Sequence, residues 1–251
     1  MRVGFVAYMT VLKPTAVFID GYNLYYGRLR GTSYKWLDVV SLFDQLLRDQ
    51  DSLSELISVS YFSAPALGRF ATHGQASVLA QQDYVRALQQ LHPTRFSLVM
   101  GKHSYDRDGT SMPRFVEGEP FDRTRRIKVW KVEEKQTDVN LALSMYRAAC
   151  SGRFKQLVVC SNDSDAAPAL KALRADFTEL AIGVITPRKP PCAQGQSHRW
   201  SSTSLQQHST WLRHHLLDAE LEAAQLPVLV RTNKRPIRKP SHWCAPTDSS
   251  T

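Results

Sequence analysis

The sequence predicts an α/β fold in which a parallel sheet is covered by helices on both faces. Short, continuously apolar segments at residues 16–19 and 156–160 have the composition of strands that are buried on both sides. Stretches with the 3.6-residue periodicity of amphipathic helices lie between such segments, and the connectors are short. This alternation of strand and helix is typical of one parallel sheet with helices on each face.

The predicted elements follow one another along residues 15–187. Strands are expected at residues 16–19, 55–63, 96–101, 156–160 and 180–186. Helices are expected at residues 38–48, 76–91, 138–150 and 166–175. Residues 102–126 mix Gly, Pro, Asp and Arg without periodicity, which predicts a long surface loop, and residues 127–133 alternate in the manner of an edge hairpin strand.

The composition on either side of this region differs from that of the predicted domain. We expect a leader at residues 1–14, a domain at 15–187, a flexible loop at 188–207, a C-terminal helix at 208–226 and a basic tail at 227–251. The loop is rich in Pro, Ser, Gln and His, and the helix would dock through its Trp and Leu residues. The tail concentrates cations among prolines, which favours an extended chain.

Composition and charge restrict the class of protein. The 251 residues are 43% hydrophobic, and 32 Lys and Arg against 23 Asp and Glu give a formal charge of +9, which favours a polyanionic partner. The four cysteines lack zinc-site spacing, and Cys150 and Cys160 lie in apolar runs where reduced core thiols are expected. No segment approaches the ~18 apolar residues of a membrane span. We therefore expect a cytoplasmic protein that does not enter a membrane, with no cleavable signal in the leader.

Acidic residues follow the predicted strands or open the next helix. Asp20 ends the first strand, Asp138 opens a helix, and Asp163 and Asp165 follow the strand at 156–160. Each has a structural explanation, an Asx-turn for Asp20 and helix N-caps for Asp138 and Asp165. Ligands of parallel sheets bind outside the carboxyl ends of the strands, where these acids would gather. Because clustered carboxylates repel one another unless a cation lies between them, the pattern predicts a Mg²⁺ or Mn²⁺ site.

Aromatic and basic residues alternate between residues 22 and 36. Tyr25, Tyr26, Arg28 and Trp36 belong to this stretch. Such interleaving suits single-stranded nucleic acid, because bases stack on rings and phosphates contact cations. The alternative is that the rings cover the edge of the sheet.

Three motifs resemble those of a known family. They are Phe-Ile-Asp-Gly-Tyr-Asn-Leu-Tyr-Tyr at residues 18–26, Lys-Gln-Thr-Asp-Val-Asn-Leu-Ala at residues 135–142 and Ser-Asn-Asp-Ser-Asp at residues 161–165. Their order and spacing resemble the NYN domain of the PIN-like nuclease superfamily, most closely its LabA-like branch. The likeness runs from about residue 15 to residue 187, and residues 237–243 resemble a tail of that branch.

The resemblance implies a Rossmann-like (PIN-like) parallel sheet and Mg²⁺- or Mn²⁺-dependent cleavage of RNA phosphodiester bonds. Asp20, Asp138 and Asp163 match the acidic metal site, Asp165 is a weaker fourth acid, and Asn23 is a polar neighbour. The sequence departs from the family at Gln136, where glycine is common. A second departure is the alanine pair at 166–167, where an aromatic residue often follows.

These observations together predict a metal-dependent endoribonuclease acting on single-stranded RNA. Asp20 and Asp163 would bind the metal directly, Asp138 would bind it or orient its water, and Lys135 would stabilise charge on the phosphate. The other candidates for substrate contact are Asn140 and Ser161, in addition to Asn23 and the aromatic and basic stretch. A homo-oligomer is left open. Two alternatives are also open: an RNA-binding or regulatory module with a silent site, and an enzyme acting on a small ligand in the same crevice.

Overall fold

The computed structural model describes residues 11–191 and 202–244, and its strands confirm the α/β class. In chain order the strands are β1 (Lys13–Asp20), β2 (Ser54–Ser63), β3 (Phe96–Met100), β4 (Lys102–Ser104), β5 (Thr110–Pro113), β6 (Arg126–Val129), β7 (Glu133–Lys135), β8 (Gln156–Cys160), β9 (Ala181–Ile185), β10 (Trp211–Arg213), β11 (Leu229–Val230) and β12 (Ile237–Arg238).

Seven α-helices lie in the same described residues. They are α1 (Gly21–Leu24), α2 (Val39–Gln50), α3 (Gln75–Leu91), α4 (Thr137–Cys150), α5 (Ala167–Asp176), α6 (Thr203–Gln207) and α7 (Asp218–Ala223). A π-helical turn, Tyr25–Leu29, continues α1, and 3-10 turns occupy Ser164–Ala166 and Ser241–Trp243. Within these described residues no helix combines the length and the hydropathy that a membrane span requires.

The central sheet has the strand order β10-β9-β8-β1-β2-β3, and all of its pairings are parallel. The chain first adds β2 and β3 on one side of β1. It then returns to place β8 on the other side and adds β9 and β10 beyond it. The direction of strand addition therefore reverses between β1 and β8, and such a switch point opens a crevice at the carboxyl ends of the two strands.

Two apolar layers hold the helices against the sheet. Val17 and Ile19 of β1 belong to the cluster that buries the apolar faces of α2 and α3, whereas Ala16 and Phe18 belong to the cluster under α4 and α5. This alternation follows from the two-residue period of a strand. Full burial of such side chains contributes about 1.5–3 kcal/mol each, so the central strand that ends in Asp20 is firmly fixed.

The region predicted as a C-terminal helix, residues 208–226, differs from expectation. β10 occupies its first part and pairs with β9, and the helix α7 is limited to Asp218–Ala223. The ring of Trp211 packs so closely on Gly183 that a Cβ there would lie 2.2 Å from it. A short apolar run is compatible with either a strand or a helix. The strand is favoured here because it pairs with the backbone groups at the otherwise unpaired edge of β9.

The segment predicted as a surface loop at residues 102–126 is instead the larger part of an antiparallel arm, which we define as residues 102–135. β4 pairs with β7 at its root, and β5 pairs with β6 farther out. These strands are short and mostly polar, so their sequence lacks the apolar alternation that identifies a strand. Their pairing joins residues 13 to 33 positions apart and is not a local property.

Residues 226–244, which include most of the predicted basic tail, have a defined fold, and we call this segment the strap. β11 and β12 form a hairpin whose Val230 and Ile237 are buried in the core. Arg231 and Arg238 remain exposed on this hairpin. The remainder of the predicted tail, residues 245–251, lies outside the described residues, as do residues 1–10 of the leader and 192–201 of the predicted loop.

The cysteines only partly follow the prediction of reduced core thiols. Cys160 is buried in β8, but Cys150, which was expected in the core, is exposed at the end of α4. The reason is its helical position, because the buried stripe of α4 runs through Leu141, Met145 and Ala149. Cys192 lies outside the described residues.

Candidate metal centre

Asp20 stands at the carboxyl end of β1 and is held by three hydrogen bonds. Asn23 donates from its backbone N–H to Oδ1 at 2.9 Å and from its side-chain amide to Oδ2 at 2.6 Å. Ser161, from the loop after β8, donates its hydroxyl to Oδ2 at 3.1 Å. Only 4% of Asp20 is exposed, and burial raises the pKa of its carboxyl although these hydrogen bonds oppose the shift.

The loop that follows β8 presents Asp163 and Asp165. Asp163 caps the 3-10 turn after β8, since its Oδ1 accepts a hydrogen bond of 3.0 Å from the backbone N–H of Asp165. The backbone N–H of Asp163 donates in turn to the hydroxyl of Ser161 at 3.0 Å. The N–H of Asn162 donates to the side-chain oxygen of Asn23 at 3.2 Å. The loops after β1 and β8 are therefore joined directly across the switch point.

Asp138 reaches the same place from the first turn of α4. The residue before this helix, Gln136, has a φ of 79° and is the only non-glycine residue with positive φ in the described part of the chain. Glycine adopts this left-handed conformation without strain, so the position is one that suits glycine. The turn at Gln136 separates the end of the arm from the start of α4. It places Asp138, in the first turn of α4, close to the acids that follow β8.

Carboxylate oxygens of Asp138, Asp163 and Asp165 all lie within 4.8 Å of one another. Burial raises the pKa of Asp138, and the charges of Asp20, Asp163 and Asp165 raise it further. Hard carboxylate oxygens in this number suit Mg²⁺ or Mn²⁺, whose positive charge would relieve the repulsion. The residues present therefore fit a divalent cation.

This arrangement differs in part from the predicted ligand set. Asp138 and Asp163 are together as expected, and Asp165, expected as a weaker fourth acid, completes the group. Asp20, expected as a direct ligand, lies beside the three and acts on Asp138 through its charge. Hydrogen bonds from Asn23 and Ser161 hold the Asp20 carboxylate beside this group.

Two residues at the root of the arm and one in α1 were not among the predicted site residues. Burial raises the pKa of Glu134 in β7, and the charges of Asp20 and Asp138 act in the same direction. Across the strand pair stands His103, whose Nε2 lies 2.9 Å from the hydroxyl of Tyr22. Because β4 and β7 pair only in the folded arm, no local pattern along the chain identifies His103 and Glu134 as neighbours.

Lys135 and Asn140 are close to the acids in sequence. The ammonium of Lys135 lies 2.6 Å from Oε2 of Glu133 and is half exposed, so its neighbour on the same strand is its ion-pair partner. Asn140 is partly buried in the first turn of α4, two residues after Asp138. Neither side chain has a described contact with the three clustered carboxylates.

Arg28 and Trp36 are buried, which departs from the expectation that they contact substrate. Only 1% of Arg28 is exposed; its Nε donates to the carbonyl of Leu216 at 2.8 Å and its guanidinium pairs with Asp218 at 2.5 Å. Trp36 has no exposed surface, and its Nε1 donates to the carbonyl of Pro227 at 2.9 Å. Both side chains fasten the C-terminal part of the chain to the domain.

The tyrosines of the same stretch are accessible. Tyr26 is exposed and Tyr25 is partly exposed, with ring centroids 5.1 Å apart. Tyr26 also lies 5.7 Å from the ring of Tyr22, which contacts the arm. The guanidinium carbon of Arg30 stands 5.5 Å above the Tyr26 ring. The aromatic and basic surface predicted beside the acids therefore consists of Tyr25, Tyr26 and Arg30.

Known proteins are similar to this chain in sequence or in structure. The family model of the NYN domain matches residues 14–194. The chain is 38% identical over 245 residues to 6-hydroxy-3-succinoylpyridine 3-monooxygenase HspA of Pseudomonas putida, and the match covers 91% of this chain and 75% of that protein. It is also similar, at 13% identity and a TM-score of 0.46, to the crystal structure of a protein of unknown function from Vibrio parahaemolyticus, covering 83% of this chain and 95% of the other.

Proposed function

The chain belongs to the NYN domain family, and on that basis we propose that it is a divalent-metal-dependent endoribonuclease that hydrolyses single-stranded RNA. The observation that carries the proposal is the group of three carboxylates, Asp138, Asp163 and Asp165, within 4.8 Å of one another. They lie at the switch point of a parallel sheet, where such folds bind their ligands. The motif order and residues 237–243 support a place in the LabA-like branch.

The acidic residues have two proposed roles, binding the cation and positioning the residues that bind it. Asp138, Asp163 and Asp165 would hold the cation. A bound Mg²⁺ or Mn²⁺ supplies charge neutralisation at the scissile phosphate and lowers the pKa of a bound water. Asp20 holds the loops after β1 and β8 in place through Asn23 and Ser161, and its buried negative charge strengthens the field at the cation site.

The substrate-binding roles rest on exposure and charge. Tyr25 and Tyr26 are accessible for stacking beside the acids, and Asn140 is in the first turn of the helix that carries Asp138. Lys135 is a candidate for phosphate contact. To reach a phosphate, its ammonium would have to break the ion pair with Glu133. The ion pair with Glu133 is half exposed and therefore weak, so this exchange costs little.

Cleavage of a labelled single-stranded RNA panel tests the proposal. We expect cuts with Mn²⁺ or Mg²⁺, none in chelator, and a more than hundredfold lower rate for Asp163→Asn, because several kcal/mol of transition-state stabilisation are lost. The matched control is Glu179→Gln, which removes an exposed acid elsewhere on the surface and should cleave normally. Metal-independent cutting, or full activity in Asp163→Asn, would contradict the proposal.

A second candidate function is oxygenation of a small aromatic compound. It is favoured by the 38% identity over 245 residues to a relative named as a 6-hydroxy-3-succinoylpyridine 3-monooxygenase. A monooxygenase needs dioxygen and two electrons, so the test supplies that pyridine compound, air and a reduced nicotinamide or flavin. Substrate-dependent oxygen uptake with one atom of the dioxygen found in the products, together with no RNA cleavage, would favour this candidate over the nuclease.

A further inference from the structure

Three aromatic rings form a cluster between the arm and the loop that follows β2. The ring centroids of Phe70 and Tyr105 are 5.4 Å apart, those of Phe70 and Trp130 are 5.8 Å apart, and those of Tyr105 and Trp130 are 6.4 Å apart. Trp130 is nevertheless 50% exposed and Phe70 is 38% exposed. Rings that served only to fasten the arm would bury most of their surface, so the cluster presents an accessible aromatic face.

A cation accompanies this aromatic face. The guanidinium carbon of Arg69 stands 4.7 Å from the centroid of the Trp130 ring. Arg69 is exposed and makes no ion pair with a carboxylate in residues 11–191 or 202–244. The pair resembles Arg30 above Tyr26 on the other accessible aromatic surface. Each surface thus offers a ring for stacking and a charge for a phosphate.

The root of the arm connects the cluster to the acids. Tyr105 follows His103 by two residues, and His103 is hydrogen-bonded to Tyr22. Gly101, just before β4, lies so close to the start of α4 that a Cβ there would stand 2.4 Å from Oγ1 of Thr137. Because Thr137 directly precedes Asp138, the arm is held against the turn that carries this acid, and its rings are fixed relative to the candidate metal centre.

We propose that Phe70, Tyr105, Trp130 and Arg69 form a second stacking surface for single-stranded RNA, complementary to Tyr25, Tyr26 and Arg30. Bases would stack on Trp130 and Phe70 while Arg69 contacts the backbone. Charge complementarity identifies the occupant, since the cation is unpaired, the chain carries a formal charge of +9 and RNA is a polyanion. The inference rests on the proposed function, because it assigns a second binding surface to the same single-stranded RNA.

Binding of a fluorescent single-stranded RNA, measured by anisotropy in chelator, tests the surface without any cleavage. Trp130→Ala should weaken binding at least fivefold, since one stacked base is worth about 1–3 kcal/mol. Arg69→Gln leaves the rings in place and should reduce the slope of log K against log salt by about 0.7. The matched control is Phe121→Ala, which removes an 82% exposed ring from the arm outside the cluster and should bind normally.

The outcomes separate this inference from the nuclease proposal. Unchanged binding in both Trp130→Ala and Arg69→Gln, with normal metal-dependent cleavage, overturns the second surface and leaves the nuclease. Weaker binding in the variants with no cleavage by the wild type overturns the nuclease alone. A wild type that does not bind RNA overturns the second surface. A wild-type dimer that becomes a monomer in Trp130→Ala also overturns it, because the rings would then form a contact between two copies of the chain. Thermal denaturation verifies the fold of each variant. If Trp130→Ala does not fold, the salt dependence of binding in Arg69→Gln is the deciding measurement.

Discussion

The hydroxyl of Ser161 donates a 3.1 Å hydrogen bond to the buried carboxylate of Asp20 and accepts one of 3.0 Å from the backbone of Asp163. One small side chain therefore couples the ends of β1 and β8, the two strands that flank the switch point. Asp20 belongs to this framework, whereas the carboxylates of Asp138, Asp163 and Asp165 are the ones that converge.

Ser161→Ala tests this coupling. The variant leaves a buried charged acceptor with one donor fewer, and a hydrogen bond to a charged group is worth about 1.5–3 kcal/mol. We expect the free energy of unfolding to fall by an amount of this order and cleavage to slow because Asp163 is less well held. Denaturant unfolding and single-turnover cleavage measure the two effects, with Ser77→Ala in α3 as the matched control. Wild-type stability and rate in Ser161→Ala would show that the bond has no such role.

The second prediction concerns Asp138 and pH. The pKa of Asp138 is higher in the folded protein than in the unfolded chain. The protonated carboxyl therefore stabilises the folded protein at pH values below its unfolded pKa, and this stabilisation is lost as the pH rises through its folded pKa. In chelator at pH 7, Asp138→Asn should therefore be more stable than the wild type, and the difference should shrink toward pH 4.

Added Mn²⁺ should reverse this order at pH 7, because only the wild type has the full set of ligands and a ligand of the folded state stabilises it. Thermal unfolding at several pH values, with and without Mn²⁺, measures both effects. A wild type that is more stable than Asp138→Asn in chelator at pH 7 would mean that repulsion at this site is negligible.

The third prediction concerns the strained turn before α4. Gln136 has a φ of 79°, and a left-handed conformation costs a non-glycine residue about 1–2 kcal/mol. Gln136→Gly should raise the free energy of unfolding by about 1 kcal/mol, after allowance for the greater entropy of glycine in the unfolded chain. Gln136→Ala, which keeps the Cβ, is the control and should give no such gain. Equal unfolding energies for the two variants would argue against strain at this turn.

The fourth prediction concerns Trp36, which was expected to stack on a base. Trp36→Phe keeps an aromatic ring but removes the N–H that binds the carbonyl of Pro227. The unsatisfied carbonyl should lower the free energy of unfolding by about 1–3 kcal/mol, and RNA affinity should not change. Tyr26→Ala should show the opposite pattern, because its ring is exposed and belongs to the proposed stacking surface. Loss of RNA affinity in Trp36→Phe without loss of stability would restore the original expectation.

The sequence was sufficient to predict five of the six strands of the central sheet and the edge of the sheet at which acidic residues lie. β1 and β8 are short apolar runs that end in Asp20 and in the loop bearing Asp163, and parallel packing brings such ends to one edge. The amphipathic pattern after Asp38 similarly predicted α2, which Asp38 caps by accepting from Val40 and Ser41. These features depend on local periodicity and chain direction.

Features that depend on distant partners were not predictable in the same way. Trp36 reads as a surface ring until the strap, some 190 residues later, covers it. The arm has no apolar alternation, so His103 and Glu134 meet only through the pairing of β4 with β7. The acid group contains Asp165 and not Asp20, and this depends on how the loops after β1 and β8 fold, which spacing along the sequence does not determine.

Calorimetric titration of Mn²⁺ into the wild type and into single Asp→Asn variants tests the central claim most directly. Asp138→Asn, Asp163→Asn and Asp165→Asn should each weaken Mn²⁺ binding by well over tenfold, because each would remove one of the three proposed ligands. Asp20→Asn should weaken binding less, by roughly tenfold, as expected for a residue that supports the ligands. Glu179→Gln is the control and should bind as the wild type does. Mn²⁺ affinity that is unchanged in all three ligand variants would contradict the account.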